Sequence, residues 1–259
     1  MQKQVVWITG ASSGIGEAMA KHFNSLGHQV VLSARRKEEL DRVASECNNP
    51  ENTAVVVLDQ EDHASINAAG HKAIEAFGHI DTLIANSGIG QFGAVVDNDW
   101  EVEKKLIDIN LLGTMAVVRS VLPHMIERNS GRIIGIASIA GKFGQRNLAA
   151  YSASKAGVIL WLESLREEVF SNGITVQAVS PGFIQTQVTV NSLRPDGSKI
   201  NKNSKAQESG MPTDVFAVKM MKVMGSSKFH HYIGRKELLA IPLHTFARSI
   251  LYKLLRRNY

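Results

Sequence analysis

Three side chains between Ser138 and Lys155 could together move a proton on and off an oxygen atom. Tyr151 and Lys155 are four residues apart, so a helix would place them one turn apart on the same face. A nearby cation favours the phenolate and would lower the pKa of Tyr151 from its usual value of about 10. The Ser138 hydroxyl could hold a substrate oxygen against the phenol. Such a set could protonate a carbonyl oxygen, or deprotonate an alcohol, while hydride moves at the adjacent carbon.

The spacing of Tyr151 and Lys155 is also common in ordinary exposed helix faces, so its meaning depends on the elements that position the pair. Alternating apolar strands and amphipathic helices favour an α/β fold, a single Rossmann-type domain over residues 1–240 with a doubly wound, mainly parallel seven-stranded sheet. The predicted strands are Val5–Thr9, Gln29–Ala34, a buried Thr53–Leu58, Ile80–Ala85, Arg132–Ser138, Ile174–Ser180 and Lys228–Ile233. The predicted helices include 62–77, 99–128, the one carrying Tyr151 and Lys155, and 213–224. A ligand would lie outside the carboxyl ends of the strands.

A glycine-rich turn follows the first predicted strand and opens a helix, which is the context that a phosphate-binding motif needs. Glycine lets the backbone approach a pyrophosphate, and the start of the helix supplies free N–H groups. A tight turn without a ligand is the alternative. The residues predicted to hold a cofactor here are Gly10, Ser12, Ser13, Gly14, Ile15 and Gly16.

The second predicted strand ends in two arginines, where this type of fold meets the adenosine ribose. An acid would bind a free 2′-hydroxyl, whereas arginine fits a 2′-phosphate, so the sequence favours NADP(H). Arg36 could merely begin the exposed face of the next helix, which makes Arg35 the sharper prediction. Asp59, after the third strand, could bind the adenine amino group or serve the start of the following helix. Asn86 follows the fourth strand at the same predicted edge.

Asn110 lies within the pattern of the 99–128 helix, which begins near Asp97 or Asn98. Asparagine is a poor helix former, so a local kink or an inserted water is expected. A buried side chain satisfied by neighbouring backbone is the alternative.

Residues 187–212 are polar, with little periodicity, and we expect a substrate lid there. The pocket would be lined by the lid and by residues 89–95 and 139–147. Its apolar contributors are predicted to be Phe92, Phe143 and Phe183. They suggest an apolar carbonyl substrate, although aromatic residues in loops often pack on the body of the protein instead.

The last 19 residues, 241–259, predict one basic amphipathic helix with Pro242 in its first turn. A continuous apolar stripe begins at Leu243, and the opposite face carries cations and no acid. Such a helix could lie on an anionic membrane surface as a peripheral contact. It could equally pack on the protein's own body or on a partner subunit.

Composition excludes several classes of protein. The chain has 259 residues, 44% hydrophobic and 20% charged, as in an ordinary globular protein. Its net charge of +5 comes mostly from residues 241–259, which argues against a nucleic-acid surface. A single cysteine, Cys47, allows no intramolecular disulfide and favours a reducing compartment. With no expected signal peptide, membrane span or metal cluster, the prediction is a cytoplasmic protein, with possible membrane association at the periphery.

Several short motifs, in this order, are similar to those of the short-chain dehydrogenase/reductase family. They are Thr9–Gly16 (TGASSGIG), Asn86–Gly88 (NSG), Asn110 in IDINLLG, Ser138, Tyr151–Lys155 (YSASK) and Pro181–Thr186 (PGFIQT). The step of 13 residues from Ser138 to Tyr151 also matches, and the resemblance covers residues 3–240. The family's NNAG turn is here Ala85-Asn86-Ser87-Gly88, two changes to small residues that should be tolerated.

The resemblance implies a role for each matching residue. Tyr151 would be the general acid, and Lys155 would lower its pKa and bind the nicotinamide ribose. Ser138 would position the substrate, and Asn110 would hold the helix kink and a relay water. Further cofactor contacts would come from Gly88, Pro181, Gly182, Ile184 and Thr186. The resemblance also implies a homodimer or homotetramer, and the SARR segment and polar lid are similar to those of NADP-dependent hydroxysteroid and retinoid-type reductases.

A non-catalytic NADP-binding regulator or sensor is the alternative function. It has no need of a proton donor, so the set of Ser138, Tyr151, Lys155 and Asn110 argues for an enzyme acting on a small-molecule carbonyl or alcohol.

Overall fold

Seven short runs, most of them rich in β-branched and apolar residues, form the strands of one sheet in a computed structural model that describes residues 3–257. Every neighbouring pair is parallel, in the order β3-β2-β1-β4-β5-β6-β7. The strands are β1 Val5–Thr9, β2 Gln29–Ala34, β3 Thr53–Val57, β4 Thr82–Ala85, β5 Gly131–Ile136, β6 Ile174–Pro181 and β7 His230–Ile233. The predicted α/β fold with a seven-stranded sheet is confirmed.

Helices cover both faces of the sheet, as the alternation of strands and helices requires. They are α1 Gly14–Ser25, α2 Lys37–Ser45, α3 His63–Phe77, α4 Trp100–Ile107, α5 Gly113–Glu127, α6 Ala149–Glu168, α7 Lys205–Glu208, α8 Thr213–Met224, α9 Ala240–Phe246 and α10 Arg248–Arg257. Successive residues of a strand point to opposite faces. Trp7 therefore belongs to the core under α3, α5 and α6, and Ile8 belongs to the core under α1 and α8.

The third strand differs from its prediction. Thr53–Leu58 was expected to be buried, but β3 lies at the edge of the sheet and Val57 is 47% exposed. An apolar run does not reveal which strand ends up at an edge, because that depends on the strand order.

The helix predicted over 99–128 begins after Asp99, whose carboxylate accepts a hydrogen bond from the N–H of Glu101. A π-helical turn, Asp108–Leu112, separates α4 from α5. The run Trp100–Glu127 is long and apolar enough to cross a membrane, contrary to the expectation of no such run. Half of its apolar window is buried inside the protein, where Val117 and Val121 pack in the core.

The C-terminal stripe forms two helices and not the single helix that was predicted. Ala247 interrupts the helical path with φ −144° and ψ 49°, between α9 and α10. Residues 258–259 of the predicted helix lie outside the described residues.

Candidate active site

The predicted functional segments meet at the carboxyl edge of the sheet, because all the strands run in the same direction. Strand order reverses around β1, whose neighbours are β2 and β4, and this leaves a crevice beyond their ends. Asn86, after β4, donates from Nδ2 to the carbonyl oxygen of Thr9 at 2.9 Å. The Thr9 hydroxyl oxygen in turn accepts from the N–H groups of Asn86 and Ser87. Thr9 thus ties the two strand ends together, a role that its position in TGASSGIG could have suggested.

The glycine turn has the close backbone packing of a phosphate cradle. Gly10 and Gly14 have φ of +67° and +60°, which side-chain-bearing residues rarely adopt. A Cβ on Gly16 would lie 2.2 Å from the Gly10 carbonyl oxygen. Because α1 begins at Gly14, its first-turn N–H groups, which have no intrahelical partner, lie at this turn. The residues fit the diphosphate of a dinucleotide.

The two arginines after β2 take different directions. The Arg36 guanidinium donates to the hydroxyl oxygens of Ser12 and Ser13 at 3.0 and 3.2 Å, so it lies over the glycine turn. Arg35 is 57% exposed along its side chain and lies 3.7 Å from the Glu61 carboxylate. Arg36 and not Arg35, which was the sharper prediction, therefore contacts the glycine turn.

Asp59 lies at the end of β3, one step along the same edge. Its carboxylate accepts a hydrogen bond from the N–H of Glu61 at 3.1 Å. The N-cap of α3 is Asp62, which accepts from the N–H of Ala64, so the alternative role considered for Asp59 belongs to Asp62.

Ser138, Tyr151 and Lys155 come together beyond the end of β5. The Ser138 hydroxyl hydrogen-bonds the Tyr151 phenol, and it also accepts from the N–H of Ala140 at 3.1 Å. Lys155, one turn along α6, is buried and donates from Nζ to the Ile136 carbonyl oxygen at 3.0 Å. Its Nζ lies 6.0 Å from the centroid of the Tyr151 ring. The arrangement places a proton donor, a hydroxyl and a cation within one corner of the fold.

The pKa values in this corner are set mainly by burial. Burial raises the pKa of Tyr151, and the hydrogen bond from Ser138 lowers it only in part. Burial likewise lowers the pKa of Lys155 from 10.5 to about 8. The pKa of Tyr151 therefore lies above its ordinary value, and not below it as the sequence predicted, because burial outweighs the hydrogen bond from Ser138.

Asn110 lies in the π-helical turn and is completely buried. Its Oδ1 accepts from the N–H of Ile89 at 2.8 Å, and its Nδ2 donates to the Ile89 carbonyl oxygen at 2.9 Å. The helix irregularity and the backbone pairing, two readings left open by the sequence, therefore occur together. Gly88 fits between the two polar side chains, since a Cβ there would lie 3.0 Å from Asn110 Oδ1 and 3.3 Å from Lys155 Nζ.

Two residues outside the motifs hold the loop of Pro181–Thr186 in place. Gln207, buried in α7, donates to the Ile184 carbonyl oxygen and, at 3.0 Å, to the Thr186 hydroxyl. Glu237 accepts from the N–H of Phe183 at 3.1 Å. A lone glutamine in a polar segment and a lone glutamate near the C-terminus belong to no motif, so neither could be identified from the sequence.

The segment 187–212, predicted to be a lid, contacts two loops at the carboxyl edge of the sheet. The N–H of Phe92 donates to the Leu193 carbonyl oxygen at 2.9 Å, and the N–H of Leu193 donates to the Gly90 carbonyl oxygen at 3.0 Å. The segment therefore contacts the loop after β4 through Leu193 and the loop after β6 through Gln207.

The three phenylalanines predicted to line the pocket have unequal exposure. Phe92 and Phe183 are 43% and 39% exposed and could contact a ligand. Phe143 is 6% exposed, with its ring centroid 5.7 Å from that of His244, so it offers little surface. Among the described residues there is no group of three or more His, Cys, Asp or Glu side chains that could hold a metal ion.

Comparison with known proteins places this site in a family. The short chain dehydrogenase model matches residues 4–196. The chain is 32% identical over 263 aligned positions to bovine (Bos taurus) dehydrogenase/reductase SDR family member 7B, covering 98% of this chain and 81% of that protein. It is 37% identical over 243 positions to human (Homo sapiens) SDR family member 7, covering 92% and 72%.

Solved structures agree in fold. A short-chain dehydrogenase from Streptomyces avermitilis has a TM-score of 0.85 at 25% identity, covering 99% of this chain and 98% of that one. A 3-ketoacyl-(acyl-carrier-protein) reductase from Brucella melitensis, complexed with NADH, has a TM-score of 0.77 at 25% identity over 90% and 97%. A variant of actinorhodin polyketide ketoreductase with NADPH has a TM-score of 0.78 at 28% identity over 89% and 95%. Because the family model matches residues 4–196 and both relatives are more than 30% identical over more than two thirds of their length, the chain belongs to the short-chain dehydrogenase/reductase family of oxidoreductases.

Proposed function

We propose that this protein is an NADPH-dependent reductase of an apolar carbonyl compound, with Tyr151 as the proton donor. The observation that carries the proposal is the corner formed by Ser138, Tyr151 and Lys155, where a phenol, a hydroxyl and a buried ammonium meet. The reverse reaction, oxidation of an alcohol, would use the same groups with Tyr151 as the base.

Each side chain has a defined part in the reduction. The Ser138 hydroxyl, already bonded to Tyr151, holds the substrate carbonyl oxygen beside the phenol. The bound nicotinamide supplies the hydride that reaches the carbonyl carbon. Tyr151 gives its proton to the oxygen, which completes the alcohol and leaves a phenolate next to the Lys155 ammonium. Because the pKa of Lys155 is about 8, the ammonium is mostly charged at neutral pH and stabilises that phenolate.

Lys155 also has capacity to bind the cofactor. An ammonium has three N–H donors, and the bond to the Ile136 carbonyl oxygen uses one of them. A second donor would bind the nicotinamide ribose. Asn110 keeps the adjoining turn in shape through its two bonds to Ile89, with a relay water as a further proposed role.

NADPH is proposed over NADH because basic side chains stand where the 2′-phosphate would lie. Arg36, already bonded to Ser12 and Ser13, offers the better-anchored guanidinium, and Arg35 would join it by leaving Glu61. Steady-state comparison of NADPH with NADH tests this point, and a preference for NADH would contradict it.

The substrate is proposed to be apolar because exposed phenyl rings flank the entrance. Phe92 and Phe183 stand on the two loops that the lid touches. Phe143, nearly buried beside His244, would pack behind the pocket and not contact the substrate. A panel of ketones and aldehydes graded by hydrophobicity should give kcat/KM values that rise with apolar surface.

We also infer a homo-oligomer, dimer or tetramer. Leu112, in the π-helical turn before α5, and Leu160, on α6, are 51% and 64% exposed. Covering them with a second copy would remove apolar surface from water. Light scattering of the wild type and of Leu160→Glu should show a smaller particle for the variant.

Absorbance at the NADPH band, followed over the carbonyl panel, is the experiment that tests the activity. Turnover that requires Tyr151 supports the reductase. NADPH binding without turnover on any carbonyl would favour the alternative, a non-catalytic NADP-binding regulator.

A further inference from the structure

The apolar stripe of the C-terminal segment is only half used by the protein itself. Leu251 is 3% exposed and anchors α10 to the body. Three other large apolar side chains of this segment, and Leu239 just before it, remain open to solvent. They are Leu239, Phe246, Ile250 and Leu254, with exposures of 66%, 87%, 53% and 45%. We name these four residues the tail row. Leu251 therefore packs against the rest of the protein, whereas the side chains of the tail row remain exposed to solvent.

Cations accompany the tail row. Arg248, Lys253 and Arg256 are all exposed, and the sequence from 238 to 259 contains no Asp or Glu. No ion pair within residues 3–257 involves any of the three. An exposed apolar row with unpaired cations beside it matches a surface that is apolar inside and anionic outside.

We propose that the tail row docks the protein on an anionic lipid surface. Amphipathic helices bind such surfaces by burying apolar side chains about 5–10 Å into the boundary between headgroups and acyl chains, with cations held at the headgroups. Each Lys or Arg near an anionic surface adds an attraction that salt screens. A second copy of this chain is a poorer occupant, since pairing two identical tail rows would bring their cations together.

The docked segment is attached directly to the proposed active site. Glu237, just before the segment and two residues from Leu239, accepts a hydrogen bond from the N–H of Phe183, and His244 of α9 contacts the ring of Phe143. Docking would therefore bring the substrate entrance near the lipid. If the proposed function holds, an entrance near the lipid indicates the substrate class, which is carbonyl compounds that partition into a bilayer.

Vesicle co-sedimentation tests the docking without any use of enzyme activity. The full chain is mixed with phosphatidylcholine vesicles, with or without phosphatidylserine. We expect the wild type to pellet with the anionic vesicles, to bind neutral vesicles more weakly, and to be released by salt. Phe246→Ser combined with Ile250→Ser should lower the partition coefficient about tenfold or more.

A matched control separates docking from general loss of apolar surface. Phe170→Ser removes a phenyl ring that is 78% exposed elsewhere, and it should pellet like the wild type. A Lys253→Gln, Arg256→Gln pair should weaken binding to anionic vesicles alone, whereas Lys219→Gln with Lys222→Gln should not. Urea midpoints show that each variant folds. The absence of wild-type pelleting, or equal pelleting of the tail-row variant, would overturn the proposal, as would a tail-row variant that changes only the oligomeric state.

A separate measurement tests the inference that the substrates partition into a bilayer, which we call the substrate clause. Anionic vesicles should lower the apparent KM for a bilayer-partitioning ketone in the wild type and leave it unchanged in Phe246→Ser with Ile250→Ser. Vesicle binding without that difference would overturn the substrate clause alone, and a chain that binds vesicles but reduces no carbonyl would count against the proposed function and not against docking.

Discussion

Two groups of charged side chains differ in whether the fold provides each charge with a partner of opposite sign. Between α1 and α2, Arg42 bonds to Glu17, Glu39 and Glu46, and Lys21 bonds to Glu17 and Glu46. Every charge of this cluster, which we name the α1–α2 cluster, has an opposite partner. In the corner formed by Ser138, Tyr151 and Lys155, which we name the catalytic corner after its proposed role, Lys155 is buried with a backbone carbonyl as its described partner.

The pKa shifts record the difference. Burial raises the pKa of Glu17, but hydrogen bonds from Arg42 and Lys21 outweigh it, so the carboxylate titrates below its ordinary value. For Lys155 nothing offsets burial, and its pKa falls to about 8. The shift from 10.5 to about 8 corresponds to ~3 kcal/mol against the charged form. The α1–α2 cluster favours its charged state, whereas the corner keeps an ammonium that burial disfavours, as expected where chemistry needs the charge.

The largest effect should come from Tyr151→Phe, which removes the proton donor and keeps the ring. We expect kcat/KM for carbonyl reduction to fall by about 10²–10⁴, with NADPH affinity retained, since general acid catalysis contributes that much. Steady-state kinetics and NADPH fluorescence titration measure the two quantities. Tyr232→Phe, which removes the hydroxyl of a phenol on β7, is the matched control and should remain active. Retained activity in Tyr151→Phe would show that the catalytic corner does not supply the proton.

Arg36→Gln should have the next largest effect on activity. It tests whether Arg36 serves the proposed reaction or, like Arg42, serves mainly the stability of the fold. Arg36 contacts hydroxyl groups and not carboxylates, unlike Arg42, which is consistent with its proposed role in binding the 2′-phosphate of NADPH. Loss of a charged hydrogen bond to phosphate should raise the KM for NADPH roughly tenfold or more and leave the KM for NADH nearly unchanged. Arg35→Gln should have a smaller effect. A larger effect for Arg35 would restore the ranking that the sequence suggested.

Arg42→Gln should produce the smallest change. Partly exposed ion pairs contribute little, so we expect the free energy of unfolding to fall by ~1 kcal/mol or less, with kcat/KM unchanged. Urea denaturation gives the free energy. Raising the salt concentration should shrink the gap between variant and wild type. Loss of activity in this variant would mean that the α1–α2 cluster is more than structural.

Sequence could predict the parts of the site that depend on chain order. Parallel strands place their carboxyl ends together, so Gly16, Asn86 and Ser138 could be assigned to one edge from the alternation of strands and helices. Spacing likewise predicts that Tyr151 and Lys155 share a face of α6.

What depends on packing could not be predicted. The pKa of Tyr151 reflects how many protein atoms surround the phenol, which no spacing reveals. The direction of Arg36 depends on the extended backbone at the N-cap of α2, with φ −86° and ψ 95°. The helix is interrupted at Ala247, which is neither glycine nor proline, so the sequence does not indicate a break there. The exposure of Val57 follows from the order of the strands.

The unfolding free energy and the turnover of Lys155→Met, measured side by side, test the central claim most directly. The buried ammonium is disfavoured, so the variant should be more stable than the wild type by ~1–3 kcal/mol at pH 7 while losing most of its reductase activity. Lys219→Met, on the exposed face of α8, is the matched control.

The sign of the pH dependence follows from the lowered pKa. Below pH 8 Lys155 is charged in both states and the penalty is full. Between pH 8 and about 10.5 the folded protein releases the proton first, so the wild type gains stability and the advantage of Lys155→Met shrinks. An advantage at pH 7 that fades over this range, together with lost turnover, is the predicted result. A variant that is less stable than the wild type, or one that still reduces carbonyls at the wild-type rate, would contradict the account.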